Sequence, residues 1–149
     1  MVDRYVQFTL SISMINRFIQ KIEKQAMEKY GLKGSHAQCI ISMSAYEQGI
    51  TAADLCRLCD KDKAAISRTV CELEEKGYIV RHGDGDNMYR ALLVLTDSGK
   101  KLAKEVSDLA VIAVKKADIG LSEENRRVFY QTLELFSKNL YNITREGLK

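Results

Sequence analysis

Apolar residues follow a helical rhythm along most of this chain and leave it once. Phe8, Ile12, Ile15, Ile19 and Ile22 recur at steps of four and three, which predicts a long helix over 5–30. Leu10, Met14 and Phe18 add a second apolar row, so only a narrow side stays wet and the helix needs more than one neighbour. Past Gly31 and Gly34, Ser35 and Gln38 read as a capping box, with Ser35 accepting a backbone amide and Gln38 reaching back. That helix runs to about Tyr46 and stops by Gly49. Thr51 with Asp54 opens a short helix to Cys59, whose apolar stripe is Ala52, Leu55, Cys56 and Cys59.

Asp62 is the expected cap of the next helix, which buries Ile66, Val70 and Leu73 and ends at Lys76, with Gly77 supplying the left-handed residue. Two helices too short to stand alone, sharing an apolar side across a turn, outline a helix-turn-helix. The rhythm then changes. Tyr78–His82 has strand composition, Gly83–Asp86 is turn material, and Tyr89–Leu95 reads as the returning strand of a hairpin wing. Thr96 restarts the helical period with Leu102, Val106, Leu109 and Ala113, and Ser122 opens a last helix with Phe129, Leu133, Phe136 and Leu140. The expected fold is mainly α with a small β-hairpin wing.

At 149 residues, 46% of them apolar and 29% charged, the chain suits one globular domain with a substantial core. It opens Met-Val-Asp-Arg-Tyr, without the apolar core of a signal peptide, and no stretch is apolar for the length of a membrane span. The expectation is a cytoplasmic protein with no membrane contact, whose four cysteines stay as thiols. A formal net charge of +3 does not mark a nucleic-acid binder by itself, and residues 51–100 hold eight basic against nine acidic side chains. Any basic surface there must come from placing cations on one face and acids elsewhere.

Leu55-Cys56-Arg57-Leu58-Cys59-Asp60-Lys61-Asp62-Lys63-Ala64-Ala65-Ile66-Ser67-Arg68 resembles the helix-turn-helix of the MarR family of regulators. Leu73-Glu74-Glu75-Lys76-Gly77-Tyr78-Ile79-Val80-Arg81 resembles the family's passage into the wing, and Leu95-Thr96-Asp97-Ser98-Gly99 its leucine-threonine-x-x-glycine step into the fifth helix. The specific similarity covers 31–103. It implies a single domain over 1–149, a winged helix-turn-helix at 34–96 flanked by dimerisation helices at 1–33 and 97–149. It also implies a homodimer that sets two recognition helices in successive major grooves of operator DNA, acting as a repressor released by a small, commonly aromatic effector.

In that frame Lys63, Ser67 and Arg68 lie opposite Ile66, Val70 and Leu73 and face the major groove, and Ala64 is small enough to let the helix approach base edges. Arg81, His82 and Arg90 flank the hairpin tip, where basic groups neutralise phosphate or enter a minor groove. The family wing carries Asp-x-Arg near its tip. The matching positions here are Asn87 and Tyr89, with Asp86 and Arg90 one residue outside, so either a shifted turn restores the pair or Asn87 and Tyr89 make the contacts. The bland alternative for each charge is a solvated face.

Cys56 and Cys59 form a Cys-x-x-Cys, but both sit on an apolar stripe and no second pair completes a zinc set, so they read as core. Cys71 has Glu72 and Glu74 beside it, which disfavours a reactive thiolate. With His36 and His82 as the sole histidines and no nucleophile elbow or phosphate loop, neither catalysis, a metal nor a cofactor is expected. The competing reading is a winged-helix module that binds protein in place of DNA.

Overall fold

The helices begin where short polar side chains can hold an unpaired amide. Thr51 Oγ1 accepts from the Asp54 N–H at 3.1 Å, Asp62 Oδ1 from Ala65 at 2.8 Å and Ser122 Oγ from Asn125 at 3.1 Å, all three at the expected caps. A computed structural model of the chain describes residues 2–83 and 91–147. In order these form α1 (Val2–Glu28), α2 (Gly34–Ser44), α3 (Ala52–Cys59), α4 (Lys63–Glu75), β1 (Ile79–His82), β2 (Leu92–Leu95), α5 (Asp97–Ala117) and α6 (Glu123–Glu146).

The start of α2 differs from expectation. Its N-cap is Lys33, whose ammonium cannot accept a hydrogen bond, and it is Nδ1 of His36 that reaches back to accept the Lys33 backbone N–H at 3.1 Å. An imidazole nitrogen at the third helical position thus does what was expected of Gln38, two residues earlier. It also buries His36, which is 1% exposed.

The chain divides into two compact units, Met1–Val111 and Ile112–Lys149. In the first, Met27, Ala37, Ile40, Met43, Leu55, Ile66, Val70, Leu73, Leu102 and Val106 enclose one core with Ile79, Leu93 and Leu95 of the hairpin. Strands β1 and β2 pair antiparallel from Ile79↔Leu95 to His82↔Leu92. Ile50, in the connection between α2 and α3, adds a further bridge to β2, exchanging both backbone hydrogen bonds with Leu93 at 3.0 and 2.8 Å.

The junction into α5 explains the Leu-Thr-x-x-Gly step. Thr96 Oγ1 donates to Gly77 O at 2.7 Å and accepts from the Gly99 N–H at 3.1 Å, while the Thr96 N–H donates to Tyr78 O at 3.0 Å. A Cβ on Gly99 would stand 2.0 Å from Tyr78 O, so only glycine lets α5 lie this close to the entrance of the wing.

The apolar stripes of the outer helices end differently from the inner ones. Only the last turn of α1, at Ala26 and Met27, is buried, while Ile12, Ile15, Phe18, Ile19 and Ile22 are all at least 40% exposed. Ala52 is exposed and Cys56 half-buried, so the α3 stripe narrows to Leu55 and Cys59. On α5 the stripe is buried through Val106 and exposed by Leu109. In the second unit Arg126 Nε pairs with Asp118 Oδ2 at 3.0 Å, yet no residue of α6 is buried, with Phe129, Leu133, Phe136 and Leu140 all at least 40% exposed.

Candidate nucleic-acid interface

Helix α4 has two faces of different chemistry. Ile66, Thr69, Val70 and Leu73 fix it to the core. Lys63, Ala64, Ser67, Arg68 and Cys71 project outward at steps of three and four, so the four residues expected on this face share it. Among the described residues Arg68 forms no ion pair, which leaves its planar fork of donors available to an acceptor outside the chain. The N-cap at Asp62 sets the first turn of α4 pointing out of the core, with Lys63 and Ala64 at its tip.

Two acids near the end of α4, Glu72 and Glu74, are matched with cations. Glu72 Oε1 accepts from Lys33 Nζ at 2.8 Å, and Glu72 Oε2 lies 2.9 Å from His36 Nε2, in contact but off the line of a hydrogen bond. The ammonium of Lys33 first, and the imidazole of His36 after it, hold the Glu72 carboxyl below the ordinary glutamate value. Glu74 Oε2 accepts from Arg81 Nε at 2.9 Å. Arg81, expected at the wing's contact with nucleic acid, is therefore engaged with α4 and braces β1 against it. Asn87, Tyr89 and Arg90 lie outside the described residues.

Two cations that the sequence pattern did not single out, Lys33 and Lys61, gather beside this helix. Lys33, Lys61 and Arg68 line one cavity of about 340 Å³ together with Ser35, His36 and Glu72. Lys61 is held by a hydrogen bond from Nζ to Ser35 O at 3.3 Å, which ties the start of α2 to the turn before α4. The clue lay in Lys61-Asp62-Lys63, where a cap residue sits between two lysines. A second cavity of about 480 Å³ opens between the end of α2, β2 and α5, with Met43, Tyr46, Val94 and Leu95 giving it an apolar side and Glu47, Lys100 and Lys104 a charged one. Among the described residues no three histidines, cysteines or carboxylates converge as metal ligands would, and no helix is long and apolar enough to cross a membrane.

Two short helices joined through a left-handed Asp60, the second backed by an antiparallel hairpin, define a winged helix-turn-helix. The MarR family model matches residues 30–87, the stretch that holds α2, α3, α4 and β1. The chain is similar to a MarR transcriptional regulator from Methanosarcina mazei Go1, at 23% identity and a TM-score of 0.80 over 91% of this chain and 90% of that one. It is similar also to a MarR-family transcriptional regulator from Listeria monocytogenes complexed with 26mer DNA, at 20% identity and a TM-score of 0.80 over 95% of both chains. The MepR–DNA complex of Staphylococcus aureus matches at 22% identity and a TM-score of 0.76, over 89% of this chain and 96% of that one. At such identities the likeness establishes the fold. No curated protein matches the sequence.

Proposed function

We propose that the protein is a homodimeric transcriptional repressor that binds double-stranded operator DNA through α4 and the wing, acts in the cytoplasm, and lets go when a small aromatic effector binds. The observation that carries this reading is the outward face of α4, where Lys63, Ala64, Ser67 and Arg68 stand together while Glu72 and Glu74 are paired with Lys33 and Arg81. Arg68 reads a base edge, and Lys63 and Lys61 meet phosphate. Asn87, Tyr89 and Arg90 reach the flanking groove, and Arg81 holds the wing at its angle to α4.

Residues 1–33 and 97–149 are the dimer arms of a single domain around 34–96, because α1 and α6 present apolar faces that a second copy would bury. The 480 Å³ cavity beside β2 is of a size for a small ligand, and Tyr46 offers an aromatic ring to one.

The test is a salt series on purified protein with a duplex taken from DNA it selects from its source genome, and with a random duplex of equal length. DNA binding predicts affinity that falls linearly in log–log form with salt, and a preference for the selected duplex of about a thousandfold or more. Equal, salt-insensitive affinity for both, or none, favours a winged-helix module that binds protein.

A further inference from the structure

Helices α2 and α3 meet at a pair of thiols. Cys39 Sγ lies 3.6 Å from Cys59 Sγ, and both side chains are buried. The two are 20 residues apart on different helices, so the fold and not the Cys-x-x-Cys spacing brings them together. Cys56, the nearer neighbour in sequence, is only half-buried, and Cys71 is exposed on α4. A disulfide has an S–S length of about 2.05 Å, so closure asks for an approach of about 1.5 Å between the two sulfurs.

The two sulfurs are not equivalent. Either thiol can donate in the Cys39–Cys59 contact; that contact first, then the Ser42 hydroxyl and the Lys61 charge, draw the Cys59 thiol below its ordinary value against the effect of burial. The Cys39 thiol is raised by the same contact and by burial. Cys59 is thus the sulfur that ionises first, with a second thiol already in contact.

We propose that Cys39 and Cys59 are a redox-active dithiol that closes to an intramolecular disulfide on exposure to a hydroperoxide, clamping α3 to α2 and displacing the turn that carries α4. The Cys59 thiolate attacks the terminal oxygen of the peroxide. The O–O bond breaks, Cys59 becomes a sulfenic acid, and the alkoxide or hydroxide takes up the thiol's proton. The Cys39 sulfur, losing its proton, then attacks the Cys59 sulfur; the S–O bond breaks and the hydroxide leaves with that proton as water. Two thiols and one hydroperoxide give one disulfide, one alcohol or water, and one further water, with two electrons passing from sulfur to the peroxide bond.

The position of Cys59 gives the closure its reach. It is the last residue of α3, and Asp60 follows in the left-handed conformation at φ 48°. The Lys61 N–H donates back to Cys56 O at 3.1 Å, and α4 begins at Lys63. A pull on Cys59 toward α2 therefore arrives within four residues at the tip of α4. The consequence for DNA rests on the function proposed above, whereas the thiol chemistry does not.

The full-length reduced protein is treated with a small excess of hydrogen peroxide or cumene hydroperoxide, alkylated, and examined by intact mass, thiol count under denaturing conditions, and peptide mapping. The expected result is a loss of two hydrogens, a fall from four titratable thiols to two, and a Cys39–Cys59 linked peptide that dithiothreitol releases. A variant carrying Cys56→Ser and Cys71→Ser, which leaves the pair untouched, should behave alike, and Cys59→Ser should form no link. Operator affinity should drop about tenfold in step with closure and return on reduction. A link through Cys56 or Cys71, or four surviving thiols, overturns the assignment, and a complete Cys39–Cys59 link with unchanged operator affinity overturns the clamp. If the reduced protein binds no duplex at all, the proposed function fails, while closure of the pair is still read by mass.

Discussion

The guanidinium of Arg81 meets Oε2 of Glu74 at 2.9 Å, joining the first wing strand to the helix before it. Both side chains are partly exposed, so the pair should be worth about 0.5–1 kcal/mol of coupling. Urea unfolding of Arg81→Ala, Glu74→Ala and the double variant measures that coupling. Arg81→Ala should also weaken operator binding less than Arg68→Ala does, because Arg81 is already engaged within the chain.

Arg68 stands on the outward face of α4 without an ion pair among the described residues. Arg68→Ala should weaken the operator more than random DNA, by about 1–3 kcal/mol if the contact is to a base. Equal loss on both duplexes, with a salt slope lower by about one, would reassign Arg68 to phosphate.

At Gly99 two effects oppose each other. Alanine gains up to about 1 kcal/mol over glycine inside a helix. The added Cβ, however, would stand 2.0 Å from the backbone oxygen of Tyr78, an overpacking whose cost is about 1–3 kcal/mol or more. Gly99→Ala should therefore lower the unfolding midpoint, and an unchanged or higher midpoint would show that the Thr96 junction gives way freely.

Ile19 is 48% exposed in the single chain. Were the protein a monomer, Ile19→Asp would change stability by no more than about 0.5 kcal/mol. In a dimer it places a charge in a dry interface and should cost at least about 2 kcal/mol. Sedimentation should give twice the 16.9 kDa chain mass for the wild type and a shift toward the monomer for the variant.

Lys33 and then His36 depress the Glu72 carboxyl below the ordinary 4.5. A depressed carboxyl adds stability above its unfolded-state value, and that increment drains away as the pH falls through the folded-state value. Thermal melts between about pH 5 and pH 3 should thus decline less steeply for Glu72→Gln than for the wild type.

Local grammar was legible in the sequence: caps at Thr51, Asp62 and Ser122, the core stripe Ile66-Val70-Leu73, and the Thr96 step are each written within a few neighbouring residues. What escaped was long-range or unconventional. Nothing periodic links Lys33 to Glu72, 39 residues apart, or Cys39 to Cys59 across two helices. His36 as a cap partner breaks the usual Ser–Gln pattern, and Ile50 joins β2 from a loop with no strand signal of its own. The α1 stripe was visible as apolar, but periodicity records only that a face wants covering and not which chain covers it.

The Ile50–Leu93 bridge changes how the wing can move. Strand β2 is gripped on one side by β1, on the other by the loop ahead of α3, and runs through Thr96 directly into α5. In kinematic terms β2 is the axle of a linkage, and a tilt of α5 turns it. The hairpin and the α3 entrance must then follow together or two backbone hydrogen bonds must part. A load applied to either end of that linkage is delivered to the other as rotation.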